Sequence, residues 1–188
     1  MEEVIWVTNI STYKTATVNP LWACLLDGRH PCPTKIYLIY NVTVKNVLEQ
    51  ASRDISILLD VFGCKNSKIE PFESYDDPEG YNQRFSELIT EIGKIIESGK
   101  KISRIYFDVT AGRKFMAMTI VAHLLDLISG KETKITKILR EVDEIYLVML
   151  YLLDYKAWYG RNSYYLEIPL ASQKLKVNKV WPRGEANV

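Results

Sequence analysis

Short apolar stretches typical of strands alternate with amphipathic helical stretches along most of this chain. Val4 to Thr8, Lys35 to Tyr40 and Ile102 to Phe107 are rich in β-branched and aromatic residues. Residues 44–62, 79–98 and 112–129, which follow or lie between them, carry apolar side chains at helical spacing. Parallel neighbouring strands need crossover connections, usually helices. The alternation therefore predicts an α/β fold: a Rossmann-like, mostly parallel sheet with helices on both faces.

Weaker patterns complete this prediction. Asn19-Pro20 is typical of a helix start and predicts a helix to about Leu26. A short third strand is possible from Ser67 to Pro71, and residues 130–141 suggest a short helix or an excursion. The strand-like runs 144–155 and 163–171, joined by a turn at 158–162, predict a C-terminal antiparallel hairpin.

Length and composition favour one domain. A chain of 188 residues with 47% hydrophobic residues can bury a full core but is short for two domains. We expect a single domain over residues 1–180 and a flexible tail over 181–188.

The net charge and the cysteine content limit the classes of partner and the cellular compartment that we expect. The 24 basic and 23 acidic residues nearly cancel, so we expect a local anion site and no long nucleic acid partner. Cys24, Cys32 and Cys64 are irregularly spaced, which suggests reduced thiols in the cytosol and no structural zinc. The acidic start and the interrupted apolar stretch 115–128 argue against a signal peptide and a membrane span, so we expect a cytoplasmic protein.

The loop after the fourth predicted strand is the strongest candidate for a binding site. Ligands of open parallel sheets bind beyond the carboxyl ends of the strands, where the strand order reverses. Here the chain continues directly into a helix, whose start offers free backbone N–H groups and a positive dipole end. The small residues of this loop would let a phosphate approach the backbone, and two cationic side chains follow them. In the alternative interpretation, Asp108 or Thr110 only caps the helix. The candidate ligand-binding residues of this loop are Asp108, Thr110, Ala111, Gly112, Arg113 and Lys114.

Two further segments carry suitable side chains. The loop after the first strand, Asn9-Ile10-Ser11-Thr12-Tyr13-Lys14, offers hydroxyl groups and a cation that would face the same ligand, although such loops are often only turns. Near the C-terminus, Lys174 and Lys176 share one strand face if that region is a strand, and Lys179 follows. Lysines that guard a sheet edge explain this cluster equally well.

Several familiar signals are absent from the sequence. No GxGxxG follows the first strand and no GxxxxGK[ST] occurs, which disfavours a dinucleotide cofactor and excludes a P-loop ATPase. His30 and His123 lack partners at ligand spacing, so we expect no metal site and no cofactor. The acidic run Asp76, Asp77 and Glu79 could hold magnesium, but such a run before a helix ordinarily forms a capping turn.

Residues 108–114 resemble the D-x-T-x-G-x-K loop of the CRISPR-associated Rossmann-fold (CARF) domains, and Ser11 after the first strand matches a second position of that family. The resemblance covers most of the chain; Ala111-Gly112 stands where the family often has Gly-Gly. CARF domains bind cyclic oligoadenylates made during type III CRISPR defence. We expect no effector domain after the CARF-like part, so the chain looks like the stand-alone archaeal ring nucleases.

The resemblance implies an activity and an assembly. A ring nuclease cleaves cyclic tetra-adenylate, without a metal, to di-adenylate ending in a 2′,3′-cyclic phosphate, and thereby switches off CRISPR signalling. The resemblance also implies a homodimer in which the ligand lies across the twofold axis. Ser11 would position the ribose or phosphate, and the catalytic lysine of the family falls on Lys174; Lys176 or Lys179 replaces it if the last strand is shifted in register.

Two other functions remain open at this point. A CARF sensor would bind the cyclic nucleotide without cutting it. An unrelated Rossmann-like enzyme would place the phosphate of a mononucleotide at Gly112.

Overall fold

The computed structural model describes residues 2–154, 157–158 and 160–182. They form one six-stranded sheet with five α-helices. The strands are β1 (Glu2–Asn9), β2 (Lys35–Tyr40), β3 (Lys68–Glu73), β4 (Lys101–Asp108), β5 (Glu144–Leu152) and β6 (Gln173–Trp181). The helices are α1 (Lys14–Asp27), α2 (Lys45–Val61), α3 (Pro78–Glu97), α4 (Lys114–Ile128) and α5 (Lys134–Arg140).

The order of the strands across the sheet is β3-β2-β1-β4-β5-β6. Strands β1 to β5 pair in parallel, and β6 runs antiparallel to β5. The order reverses between β1 and β4, so the crevice of this doubly wound sheet opens at the carboxyl ends of these two strands. The predicted Rossmann-like fold is confirmed.

Two hydrophobic layers cover the two faces of the sheet. On one face α3, α4 and α5 pack against side chains such as Val7, Phe107 and Ile145. On the other face α1 and α2 pack against side chains such as Trp6 and Leu38. Alternate residues of each central strand point to opposite layers, which explains why these strands are apolar throughout. None of the described helices is long and apolar enough to cross a lipid bilayer.

The predicted start of the first helix is wrong. Helix α1 begins at Lys14 and contains Pro20 in its interior, whereas Asn19-Pro20 was expected to open it. All residues from Thr15 to Pro20 are buried. Tertiary burial therefore outweighs the local preference of proline for a helix start.

The C-terminal hairpin has the predicted pairing, but its second strand lies elsewhere. Residues 163–171 contain short 3-10 turns, and the strand that pairs with β5 starts at Gln173. Ile168 is buried, and Gln173 Nε2 donates hydrogen bonds to backbone oxygens of Tyr165 and Ile168, so this segment packs back on the domain. The predicted turn at 158–162 includes residue 159, which lies outside the described residues.

The predicted tail from 181 overlaps the end of the sheet. Trp181 is the last residue of β6, and residues 183–188 lie outside the described residues.

Two of the three cysteines are joined, contrary to the prediction of reduced thiols. Cys32 and Cys64 form a disulfide with a Cα–Cα distance of 5.4 Å, and Cys24 is free and buried. Each bonded cysteine shortly precedes a strand of the β2–β3 pair, in which Lys35 lies opposite Lys68. The parallel register brings the two entry loops together, and sequence spacing alone could not show this.

Candidate functional site

One cavity at the switch point unites the two predicted loops. It has a volume of about 360 Å³ and is lined by Ser11 from the β1–α1 loop and by Thr110 and Gly112 from the β4–α4 loop. Met149 to Leu152 of β5 close another side. We call this cavity the crevice site. The segments that carry Ser11 and Gly112 thus face each other, as the sequence predicted.

Asp108 and Thr110 brace the β4–α4 loop from inside. Asp108 is fully buried; it accepts hydrogen bonds from Thr8 Oγ1 at 2.7 Å and from the backbone N–H of Thr110 at 2.9 Å. Thr110 Oγ1 in turn accepts a hydrogen bond from the backbone N–H of Leu150 at 2.8 Å. Burial raises the pKa of the Asp108 carboxyl to about 6, against the opposing effect of these hydrogen bonds.

The alternative that Asp108 or Thr110 caps the helix is wrong. Helix α4 begins at Lys114, and its N-cap residue is Arg113, whose side chain makes no capping hydrogen bond. The backbone N–H of Arg113 donates to Met116 Sδ at 3.4 Å. The backbone N–H groups of Lys114 and Phe115 have no acceptor among the described residues and are left for a ligand, and the helix dipole favours an anion there. Asp108 and Thr110 are positioning residues of the loop.

The close approach of the two loops requires a glycine at position 112. Its φ of 95° lies in the left-handed region, which side chains rarely adopt. A Cβ atom at this position would lie 2.9 Å from Met116 Sδ and 3.0 Å from Asn9 Cβ. Ala111 beside it is buried against Ala16 and Leu152. The loop therefore requires glycine at 112 and a small residue at 111.

The β1–α1 loop is also held by local hydrogen bonds. Thr17 Oγ1 accepts from the backbone N–H of Ser11 at 3.2 Å and donates to the carbonyl oxygen of Asn9 at 3.0 Å. Helix α1 begins at Lys14, and its N-cap residue Tyr13, like Arg113 of α4, makes no capping hydrogen bond with its side chain. Two helices thus begin beside the same crevice.

The remaining candidates of the first loop differ in exposure. Asn9 is buried, and its Oδ1 accepts a hydrogen bond from the Tyr81 hydroxyl at 2.9 Å. Ile10 is a core residue, 3% exposed. Thr12 is exposed to solvent. Ser11, which is partly exposed, is the member of this loop that presents a hydroxyl to the cavity.

The two cations after Gly112 point to different partners. Arg113 Nη2 forms an ion pair with Asp76 Oδ2 at 2.6 Å, and Asp76 also accepts a hydrogen bond from Asn41. Lys114 is exposed and has no carboxylate within 4 Å in the described part of the chain. Lys114 is therefore the better available of the two for an anionic ligand.

The acidic run predicted as a possible magnesium site has structural partners. Asp77 accepts a hydrogen bond from Gly80 N at 2.8 Å and caps α3, as the alternative interpretation had it. Within the described ranges, no group of acidic, histidine or cysteine side chains is arranged to hold a metal ion.

The three lysines near the C-terminus separate along β6. Lys174 lies opposite Tyr151 and Lys176 opposite Met149, and both lysines are exposed near the carboxyl edge of the sheet. Lys179 lies opposite Tyr146 and pairs with Glu144 at 2.6 Å. Five residues of strand separate Lys179 from Lys174 by about 16 Å. Lys179 therefore lies far from the crevice site.

Sequence reasoning missed the aromatic border of the site. Tyr13 and Tyr151 both line the cavity. Tyr13 follows Ser11 and Thr12 directly in sequence, so its position in the candidate loop was a usable signal. Tyr151 carried no such signal, because its place depends on the length and register of β5.

Together, the strand order and the crevice define a doubly wound, Rossmann-like α/β protein with a candidate site at its switch point. No model of a protein family matches the chain, and no curated protein matches it. Among solved structures, it is similar to Csm6 of Enterococcus italicus bound to cyclic hexa-2'-fluoro-hexa-dAMP, with a TM-score of 0.51 and 15% sequence identity. The match covers 78% of this chain and 33% of that chain, so it spans about one third of the length of Csm6. The likeness supports the fold.

Proposed function

We propose that this chain is a CARF-type ring nuclease that cleaves cyclic tetra-adenylate to di-adenylate with a 2′,3′-cyclic phosphate and so switches off type III CRISPR signalling. The observation that carries the proposal is the meeting of Ser11 with Gly112 in one cavity beside the starts of α1 and α4, where neither N-cap side chain makes a capping hydrogen bond. The fold likeness to Csm6, a protein solved with a cyclic nucleotide ligand, supports the same ligand class.

The proposed ligand fits the charges beside the crevice site. Backbone N–H groups at the start of α4 and the free ammonium group of Lys114 would hold phosphate oxygens. In the proposed homodimer the ring lies across the dyad, and each protomer binds two of its four nucleotides. We place the protein in the cytoplasm, where its ligand would be made.

The proposed reaction is an internal transesterification that takes place at two opposite linkages of the ring, so that one ring yields two di-adenylates. The 2′-hydroxyl of a ribose attacks the adjacent phosphorus, a P–O2′ bond forms, and the P–O5′ bond breaks. The proton of the 2′-hydroxyl is lost, and the leaving 5′-oxygen takes up a proton. Ser11 would hold the ribose or phosphate in line, and the ammonium group of Lys174 would stabilise negative charge on the phosphorane oxygens. The step needs no metal and no cofactor.

A non-catalytic CARF sensor is the second candidate. One observation favours it: among the described residues, those that line the cavity include no lysine, arginine or histidine, and Lys174 lies beside Tyr151 on the neighbouring strand, outside this lining. Catalysis would then require the lysine, or a partner protomer, to reach the phosphate when the ligand binds.

Incubation of labelled cyclic tetra-adenylate with the purified protein and EDTA tests both candidates. We expect linear di-adenylate with a cyclic phosphate end, and one ring bound for every two chains. Rings of three and six adenylates in parallel establish the preferred size. Binding without product would favour the sensor, whereas the absence of binding to all three rings would refute both candidates.

Substitution of the lysines of β6 tests the catalytic assignment. Lys174→Ala should lower the cleavage rate about 100- to 1,000-fold while affinity changes far less. Lys179→Ala is the matched control, since Lys179 is paired with Glu144 at the other end of β5. Loss of activity in Lys176→Ala with an active Lys174→Ala would move the role to Lys176.

A further inference from the structure

Two partly exposed tyrosine rings border the crevice site. Tyr13 is 39% exposed and lies at the start of α1, and Tyr151 is 45% exposed and lies near the end of β5. Both belong to the lining of the same cavity, although they come from different structural elements. They therefore approach a bound ligand from different sides.

These two tyrosines differ from the structural tyrosines of the domain. Tyr37, Tyr81 and Tyr106 are at most 1% exposed, and each hydroxyl has a hydrogen-bond partner. In the described part of the chain, the hydroxyls of Tyr13 and Tyr151 have no such partner, and no other aromatic ring packs on either of them. Core packing does not account for their presence at the cavity.

One face of the Tyr151 ring already has a neighbour. Lys176 Nζ lies 5.2 Å from the ring centroid, within the range of a cation–π contact. A cation on one face helps to hold the ring in place, and stacking of another flat group would use the opposite face. Lys176 thus has a role that does not require it to touch the ligand.

We propose that Tyr13 and Tyr151 each stack against one adenine base of the cyclic ligand. The inference rests on the proposed function, in which each protomer binds two nucleotides and hence two bases. The phosphates lie against the helix starts, and the bases extend outward to the tyrosine rings. The crevice site would then bind the bases by stacking in addition to the phosphates by charge.

Stacking predicts a difference between substitutions that keep the ring and those that remove it. Tyr13→Phe and Tyr151→Phe should bind cyclic tetra-adenylate almost as tightly as the unchanged protein. Tyr13→Leu and Tyr151→Leu should each bind about 5- to 150-fold more weakly, the range measured for the loss of one base–aromatic stack. Tyr75→Leu is the control, because Tyr75 is 56% exposed and lines a different cavity.

A fluorescent base provides a readout that a merely structural role would not change. Replacing one adenine of the ring by 2-aminopurine reports stacking, since its emission is quenched when it stacks. We expect quenching with the unchanged protein and the phenylalanine variants, and brighter emission when either leucine variant is saturated with ligand. Urea unfolding checks that the variants are folded; Tyr13→Gln and Tyr151→Gln replace any leucine variant that is not.

The outcomes separate this inference from the function on which it rests. If the unchanged protein binds no cyclic oligoadenylate, the proposed function is wrong. If it binds the ring and the folded leucine or glutamine variants bind equally well with quenched emission, the function stands and the stacking role of the tyrosines is refuted.

Discussion

The carboxylate of Asp108 accepts a hydrogen bond from the hydroxyl of Thr8 at 2.7 Å, and this bond joins the two strands between which the sheet reverses its order. Both residues are fully buried. The same carboxylate holds the backbone of Thr110. A single buried side chain therefore ties β1 to β4 and shapes the loop that enters the crevice site.

The free energy of unfolding should depend on pH through the titration of the buried Asp108 carboxyl. The pKa of Asp108 is raised from 3.8 to about 6 in the folded protein, so the folded state holds the proton more tightly than the unfolded state. Its contribution to stability is therefore greatest below pH 3.8 and falls as the pH rises to about 6, by about 3 kcal/mol at most. Urea unfolding of the unchanged protein and of Asp108→Asn at a series of pH values measures the difference.

The difference between the two proteins is the quantity to follow, because other carboxyls titrate in both. Between pH 4 and pH 6 the unchanged protein should lose stability relative to Asp108→Asn. Asp60→Asn, at an exposed position, should show no such difference. A constant difference between the unchanged protein and Asp108→Asn over this range would contradict the assigned pKa.

Gly112→Ala should damage the crevice site more than a comparable substitution elsewhere. The new Cβ would be strained by the positive φ and would collide with Met116 Sδ and Asn9 Cβ. We expect a loss of about 1–3 kcal/mol in the free energy of unfolding and weaker ligand binding. Gly130→Ala is the matched control, since Gly130 has φ 81° and no atom within 4 Å of a new Cβ. Equal losses in both variants would show that the contact with Asn9 is unimportant.

Lys114 and Arg113 should contribute unequally to ligand affinity. Lys114→Gln should weaken binding of cyclic tetra-adenylate by about tenfold or more, because it removes a free charge from the helix start. Arg113→Gln should have a smaller effect, because Arg113 is already paired with Asp76. Asp76→Asn, which releases Arg113, should tighten binding. Equilibrium titration at low and high salt provides the comparison, and a larger effect of Arg113→Gln would reverse the assignment.

The fold was predictable where local signals and tertiary packing agree. The bounds predicted for β2 match the structure, and α2, α3 and β4 differ by one residue at each end or less. The limits of α1 and β6 were not predictable, because they depend on burial of Thr15 to Pro20 and on the packing of residues 163–172. Both are tertiary effects that a linear pattern does not contain.

The candidate site was predictable in part for the same reason. Ser11 and Gly112 follow neighbouring strands, so the topology of a parallel sheet brings them together. The ion pair between Arg113 and Asp76 joins loops that are distant in sequence, and the distinction between Lys114 and Arg113 therefore came only from the structure. The register of β6 likewise decided that Lys179 lies away from the crevice site.

The disulfide should stabilise the domain without altering the crevice site. Cys32 and Cys64 are 32 residues apart in sequence, and closing a loop of that length contributes about 2–4 kcal/mol. Reductant should lower the melting temperature of the unchanged protein, whereas the double variant Cys32→Ala/Cys64→Ala should melt lower from the start and not respond to reductant. A melting temperature of the unchanged protein that is insensitive to reductant would show that the bond does not form in solution.

The antiparallel direction of β6 has a consequence for the evolution of such a domain. Its first residues, including Lys174, return to the carboxyl edge of the sheet from a part of the sequence remote from both ligand loops. Under the proposed function, substitutions in this final strand would add or abolish cleavage and leave the β1–α1 and β4–α4 loops unchanged. A nuclease and a receptor for the same messenger could thus be separated by very few mutations.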